Sequence, residues 1–359
     1  MGSRVTVVNL LPTALVLVGL ALLWRFLSVV QVGVMLLMLS LVLSAALYPL
    51  VRFVNERLRL PRPIAVFGTV FGALAVLAAF VWFLVPTLME QLGATWTALT
   101  HQGQFAADLR RYGDANPWIG RMLQSDSAAE FGRSLRTVPG PLMRGLMQVS
   151  SNLLALAGYA FVVLLLMLYT LGRPEPLLRG LIGAVPEKWR PRVVRATEDI
   201  VSALRVWGLS TLAVMASGGV LVFMGLTVLG VPNALVYAFL SALGELIPNL
   251  GPTVANGVPV LVTFAQDPGR AVAVAAWLIA VQVVQGIVSP YLFGRTVSLH
   301  PVSIITGILL LGTAFGLVGA FLTVPFLIIA KVLYEAFWLS RADLPEVPEE
   351  QVAEILEQA

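Results

Sequence analysis

The chain has 359 residues, 58% hydrophobic and only 12% charged, with a net charge of +4, a sequence pI near 9.7 and a mean hydropathy of +0.89. Soluble globular domains carry about 25% charged residues, so this composition excludes a water-covered globule and implies an integral membrane protein whose basic excess marks cytoplasmic loops rather than a nucleic-acid surface. With no cysteine and two histidines, His101 and His300, the chain also excludes disulfides, thiolate chemistry and a histidine-rich metal site.

A membrane-crossing helix needs about 20 mostly apolar residues. Uncharged windows of that kind run Val5–Trp24, Phe26–Val51, Pro63–Met89, Gly145–Gly172, Val206–Gly244, Leu246–Gln266, Ala271–Gly294 and Thr296–Ala330. They predict an all-α, polytopic membrane protein of about eight transmembrane helices, organised as a single transmembrane domain over 1–359. The first window, behind a short basic start, reads as an uncleaved first span. Little more than "WRFLS" separates it from the second, which predicts a tight hairpin there.

Lys and Arg near span ends set orientation. "VRFVNERLRLPRP" carries Arg52, Arg57, Arg59 and Arg62 against Glu56, and the helical loop 173–205 adds Arg173, Arg179, Lys188, Arg190, Arg192, Arg195 and Arg205. Eight crossings put both loops on the cytoplasmic side, together with Arg270, both termini and the acidic 341–359 tail. The 90–144 segment then lies outside. Its apolar residues recur at helical spacing (Leu88, Leu92, Trp96, Leu99; then Phe105, Leu109, Tyr112), and Asn116-Pro117 and Pro139-Gly140-Pro141 divide it. This predicts an amphipathic helical insert that lies on the membrane, packs on its own spans or meets another protomer.

Gly68-x-x-x-Gly72 and Gly312-x-x-x-Gly316 permit close helix approach, read first as packing within one protomer. "GELIPNLGPTVANGVPV", 244–260, is the strongest signal in the chain. It places one carboxylate among three prolines, three glycines and two asparagines in an apolar region. Irregular backbone survives at membrane depth only where protein or a water-filled cavity surrounds it. Pro248 and Pro252 lack N–H groups and Gly251 permits a sharp turn, so "IPNLGP" predicts a helix broken near 245–252, with carbonyls freed at Gly244, Glu245 and Leu246. A carboxylate at a helix centre costs roughly 2.5–3.5 kcal/mol on insertion scales. Beside a broken helix, it is how many transporters build a mid-membrane site.

Glu245, Pro248, Asn249, Gly251, Pro252 and Asn256 are therefore candidate path or substrate-binding residues. The alternative is a Glu245 that reaches the interface or pairs with a structural Arg. Gln282 and Gln285 share a helix face and either bond a neighbouring span or line a polar path. Arg295 is the only charge in "SPYLFGRTVSLHP", 289–301. It pairs with Glu245 or meets an anionic solute if that stretch is re-entrant, and is solvated if it is an outer turn.

There is no phosphate loop, no H-E-x-x-H and no Asp in the uncharged windows, so nucleotide hydrolysis by that route, zinc proteolysis and aspartyl proteolysis lack their groups. No enzyme, resident metal or cofactor is expected. The partners expected are the lipid bilayer and a small polar solute, or a monovalent cation and proton, with a homo-oligomer and no nucleic acid.

The stretch 244–260, followed by "VSPYLFGRTVSLHPVSIITGILLLGTAFGLVGAFLTVPFLIIAKVLYE", resembles the autoinducer-2 exporter family, also called PerM-like permeases. That family's I-P-x-x-G-P break maps to Ile247, Pro248, Gly251 and Pro252. Its P-x-x-x-G-[KR]-x-x-x-L-x-P stretch maps to Pro290, Gly294, Arg295, Leu299 and Pro301. Its glycine-rich last span maps to Gly312, Gly316, Gly319, Val324 and Pro325. Where the family often has Arg-Gly-Gln, this chain reads Trp207-Gly208-Leu209. The resemblance implies a bacterial inner-membrane transporter and a homo-oligomer, with a pentamer as the candidate form. It leaves the substrate open, since members are connected with export of the autoinducer-2 signal and with sodium–proton exchange. Three functions follow: a secondary transporter or exporter of a small polar solute, a monovalent cation–proton antiporter using Glu245, or a non-transporting oligomeric scaffold.

Overall fold

Hydrocarbon offers no hydrogen-bond partner, so apolar segments satisfy their own backbone by winding into helices. A computed structural model describes residues 11–100, 114, 153–248, 250–294 and 299–338, and the regular structure there is helical. In chain order these are α1 (Leu11–Leu58), α2 (Arg62–Thr100), α3 (Leu153–Gly172), α4 (Pro174–Gly183), α5 (Arg190–Val228), α6 (Ala234–Gly244), α7 (Leu250–Gln266), α8 (Pro268–Phe293) and α9 (Pro301–Phe337). A 3-10 turn, Glu187–Trp189, leads into α5.

Among the described residues six helices, rather than eight, are long and apolar enough to cross a membrane: α1, α2, α3, α5, α8 and α9. Part of the difference lies at the start. The first two windows form one continuous helix through Arg25, about 70 Å long at roughly 1.5 Å per residue, and no hairpin. "WRFLS" holds neither Gly nor Pro, so nothing in it ends a helix, and a lone Arg on a long stem tolerates an apolar flank. At the far end of α2, the helix runs on to Thr100 and absorbs the beginning of the expected insert. The rest of that insert, apart from Asp114, and the acidic tail lie outside the described residues.

The helix ends sort into two groups. Arg62 Nη2 donates to the Leu171 carbonyl at 3.2 Å, which joins the start of α2 to the end of α3. Trp189 and Phe337 rings lie 6.0 Å apart, so α9 finishes where α5 begins. Arg52, Arg57, Arg59, Arg62, Arg173, Arg179, Lys188 and Arg195 are exposed at this arginine-rich end. At the opposite end Arg270 donates to the Gly230 carbonyl at 3.3 Å, just past the end of α5. Arg270 therefore does not share a face with the other arginine loops, contrary to the sequence expectation.

The physical reason is that α6 and α7 do not cross. Gly230 and Asn233, with φ of 67° and 57°, turn the chain after α5. Eleven residues of α6 then dip inward, and seventeen residues of α7 return to the end they left. At the tip the two backbones touch: a Cβ at Gly244 would meet the Gly251 carbonyl carbon at 2.7 Å, and one at Gly251 would strike the Gly244 carbonyl oxygen. Only glycine at both positions lets the arms converge. The window Leu246–Gln266, counted as a crossing, is one arm of a re-entrant hairpin. The other arm, α6, is the end of the Val206–Gly244 window, whose beginning belongs to α5.

A second reversal lies inside α9. Gly316 has φ 64° and ψ −148°, a backbone conformation essentially restricted to glycine. A Cβ at Gly312 would lie 3.6 Å from Ala320 Cβ, and one at Gly307 would lie 2.6 Å from Thr323 Cγ2. In a straight helix those pairs would sit about 12 and 24 Å apart at roughly 1.5 Å per residue. Thus 301–315 and 317–337 are antiparallel arms with Gly316 at their tip. This hairpin is rooted at the arginine-rich end, opposite the first. The Gly312–Gly316 pair packs within the protomer as expected. Gly68 and Gly72 instead face outward on α2, where an added Cβ would meet nothing within 4 Å.

Around the first hairpin an apolar core gathers Val222, Leu226, Tyr237, Val258, Val274 and Leu278 from α5, α6, α7 and α8. Around the second, Leu204 and Trp207 of α5 pack with Val42 of α1 and Leu322 and Ile328 of α9.

Candidate functional site

The tip of the first hairpin opens into a cavity of about 500 Å³. Proline supplies its shape. Pro248 and Pro252 cannot donate backbone hydrogen bonds, so the chain between α6 and α7 closes by short turns. Leu246 N–H bonds the Leu243 carbonyl at 3.2 Å, Ile247 N–H the Gly244 carbonyl at 2.9 Å, and Gly251 N–H the Ile247 carbonyl at 2.9 Å. The Gly244 carbonyl is thus occupied rather than freed. Among the described residues no backbone N–H reaches the Glu245 or Leu246 carbonyl. Both residues line the cavity with Pro248, Pro252 and Thr253.

α8 supplies the facing wall through Gln282, Gln285, Ser289 and Pro290, and α5 another through Trp207, Thr211 and Val214. Gln285 is locked: its Nε2 donates to the Val214 carbonyl at 2.8 Å, and its Oε1 accepts from Ser217 Oγ at 3.3 Å. Ser210 Oγ donates to the Leu292 carbonyl at 2.6 Å, so α5 and α8 are tied along one seam. Gly218 makes room for this arrangement, because a Cβ there would lie 2.5 Å from Gln285 Nε2 and 3.6 Å from Glu245 Oε1. Thr211 Oγ1 is buried with no hydrogen-bond partner. Pro290 removes the helical donor of the Gly286 carbonyl, and Gly286 also faces the cavity.

Among the described residues Glu245 is the one charged residue in this wall. No Arg or Lys among the described residues lies within ion-pair distance of it. The cavity extends from Glu245 to Pro301 and Ile304 at the start of α9. Beyond Glu245, toward the opposite end, the apolar core around Tyr237 and Leu278 closes it. The arrangement is a largely apolar chamber with a few polar groups around Glu245, reaching the start of α9 and stopped by a re-entrant tip.

Of the residues singled out from sequence, Glu245, Pro248, Pro252, Gln282 and Gln285 come together here. Gly251 forms the hairpin crossing behind them, and Asn256 lies one turn further along α7, buried but outside the wall. Asn249 and Arg295 fall outside the described residues, so the proposed Arg295–Glu245 pair does too. His300 is a helix cap, its Nδ1 accepting from Val302 N–H at 3.3 Å. Sequence reasoning missed Thr211, Ser289, Phe293 and Ile304. Trp207, noted only as a departure from a family pattern, fills part of the wall, while Leu209 turns outward.

The family described as AI-2E family transporter matches residues 13–338. A candidate transport protein of Mycobacterium tuberculosis (strain CDC 1551 / Oshkosh) is 31% identical over 308 residues, covering 85% of this chain and 83% of its own. One from Synechocystis is 24% identical over 295 residues, covering 77% and 80%. The candidate transport protein YueF of Bacillus subtilis is 25% identical over 154 residues, covering 43% and 42%. A family match over residues 13–338, long apolar helices among the described residues and a relative 31% identical over most of both chains lead to one conclusion: the chain belongs to the AI-2E transporter family.

Proposed function

We propose that this membrane transporter is a secondary carrier of a small polar solute, which it moves through the Glu245 cavity without a nucleotide motor. The observation that carries the reading is a chamber at a proline-broken re-entrant tip, in which Glu245, Gln282, Thr211 and Ser289 interrupt an otherwise apolar lining, closed on one side by packed apolar side chains. Carriers place their sites at such breaks because unwound backbone and a charged side chain substitute for water. A non-transporting scaffold has no use for a chamber around a costly carboxylate. The solute class includes an autoinducer-2-like signal, and export is the direction we infer from family resemblance. The arginine-rich end, where α9 finishes, is assigned to the cytoplasm in a bacterial inner membrane. Because α1 is one continuous helix, its start then lies on the opposite side, not with the C-terminal end as the sequence expectation had it.

A second reading is favoured by one observation: among the described residues the charge in the chamber wall is a carboxylate, which suits exchange of a monovalent cation for a proton. Purified protein in proteoliposomes, given imposed sodium or proton gradients and a panel of small solutes, separates the two. Solute-dependent flux with no cation dependence supports the carrier. Sodium-driven proton movement without added solute supports the antiporter. Neither flux, in vesicles with verified folded protein, sinks both.

A further inference from the structure

The apolar plug beyond Glu245 is not uniformly apolar. On α7 the residues Pro252, Asn256, Pro259 and Thr263 recur at spacings of four, three and four, so they lie along one helix face. All four are buried. This face begins at Pro252 in the cavity wall and runs toward the end where Arg270 meets Gly230. Asn256 is 6% exposed and Thr263 4%. Asn256 Nδ2, Asn256 Oδ1 and Thr263 Oγ1 have no hydrogen-bond partner among the described residues. Pro259 has no N–H, so the Ala255 carbonyl loses its helical donor in the same turn.

Buried polar groups are nearly always paired, and an orphan needs an explanation. Three orphaned atoms and a donorless carbonyl on a single face of α7, with the unpartnered Tyr237 hydroxyl on the other arm of the hairpin, are not accounted for by packing. A structural face would be cheaper with Leu and Val. Val258 and Val262, in the apolar core, show that this helix has apolar residues at the same depths.

We infer that this face is the outer leg of the permeation path, a polar track that conducts water and a partly dehydrated monovalent cation or neutral polar solute between the Glu245 cavity and the opposite end. Its oxygens (the Asn256 amide oxygen, the Thr263 hydroxyl and the Ala255 carbonyl) can replace part of a cation's hydration shell. The Asn256 Nδ2 and Thr263 O–H donors serve a neutral polar solute, and the Glu245 carboxylate at the inner end disfavours anions. The track is closed in this conformation, and Asn256 and Thr263 are its two stations. The inference rests on the transport reading, but it makes a separate claim about where the far exit lies.

The cysteine-free chain allows a direct test that needs no known substrate. Single cysteines at Asn256, Thr263, Val258, Val262 and Gln282 are placed in nanodiscs, where both faces are open. They are treated with trimethylammonium-ethyl methanethiosulfonate and with its anionic sulfonatoethyl counterpart. Cysteines at 256 and 263 should react at least about tenfold faster than those at 258 and 262, because modification reads the open fraction of each site. The cationic reagent should lead, and Glu245→Gln should narrow its lead. Equal rates at 256, 263, 258 and 262 overturn the track; a reactive Gln282→Cys in that case leaves the cavity reading standing, and an unreactive one removes both. If a cysteine variant fails to fold, Asn256→Leu and Thr263→Val report independently. Orphaned polar groups replaced by apolar ones of similar size should hold or raise Tm. A clear fall in Tm shows that those groups have structural partners, and overturns the inference.

Discussion

Glu245 and Gln285 line one cavity, both beside Gly218, and are expected to answer substitution differently. Gln285 makes two hydrogen bonds to α5, each worth about 0.5–1.5 kcal/mol net. Gln285→Leu should therefore lower stability by roughly 1–3 kcal/mol, read as a lower Tm in detergent, with flux impaired through the loosened wall. Among the described residues Glu245 has no such tie. Glu245→Gln should leave Tm and oligomer size unchanged and flatten the dependence of reconstituted flux on pH, and Glu245→Asp should keep part of that dependence. Wild-type flux for Glu245→Gln at every pH would make the carboxylate structural. Glu245, Pro248 and Pro252 were legible in the sequence because a charge and helix breakers stand out against apolar neighbours. Thr211 and Ile304 were not, since a Thr or an Ile in a span looks the same facing lipid or facing a chamber.

At the scale of the element, both hairpins depend on glycines that tolerate no side chain. Gly251→Ala would drive a Cβ into the Gly244 carbonyl, a backbone clash that no rotamer change relieves. A cost of about 1–3 kcal/mol follows, together with loss of flux as the tip opens. Gly257→Ala on the same helix meets nothing within 4 Å and should instead stabilise by up to about 1 kcal/mol. A thermal-shift comparison of the pair checks both signs at once, and equal shifts would contradict the crossing. Gly316→Ala should cost roughly 1–3 kcal/mol through strain at its positive φ. The breaks in 244–252 were foreseen from proline. The reversal at Gly316 was not, because glycine alone in an apolar run reads as helix packing. Hydropathy measures how long an apolar stretch is and carries no information on whether it returns.

For the molecule as a whole, that returning geometry changes the sidedness. Cysteines introduced at Glu187 and at Asp267 should be labelled from opposite faces of sealed vesicles, because α5 crosses while α6 and α7 do not. Labelling from the same face would restore the crossing count expected from sequence and undo the re-entrant assignment. The outward face of α2, where Gly68 and Gly72 lie between exposed Ile64, Phe67 and Phe71, suits contact between protomers. Native mass spectrometry in mild detergent should show a homo-oligomer, weakened by Gly68→Leu with Gly72→Leu. A single protomer under every lipid condition would count against assembly. Composition and charge bias identified the class of molecule and its arginine-rich end from sequence alone; direction along the later spans required three-dimensional contacts.

The tip at Pro248–Pro252 also constrains biogenesis. Exposed to lipid during synthesis, its unpaired carbonyls would each cost several kcal/mol. Its shelter comes from Gln285, Ser289 and Pro290 of α8, which leave the ribosome later. The segment 234–266 therefore has no stable membrane-inserted form when it emerges. It waits at the surface or within the insertion machinery until α8 is made, then enters as a unit. Nascent chains stalled before residue 268 should hold this segment accessible to the aqueous phase, while chains stalled well past 294 should have withdrawn it.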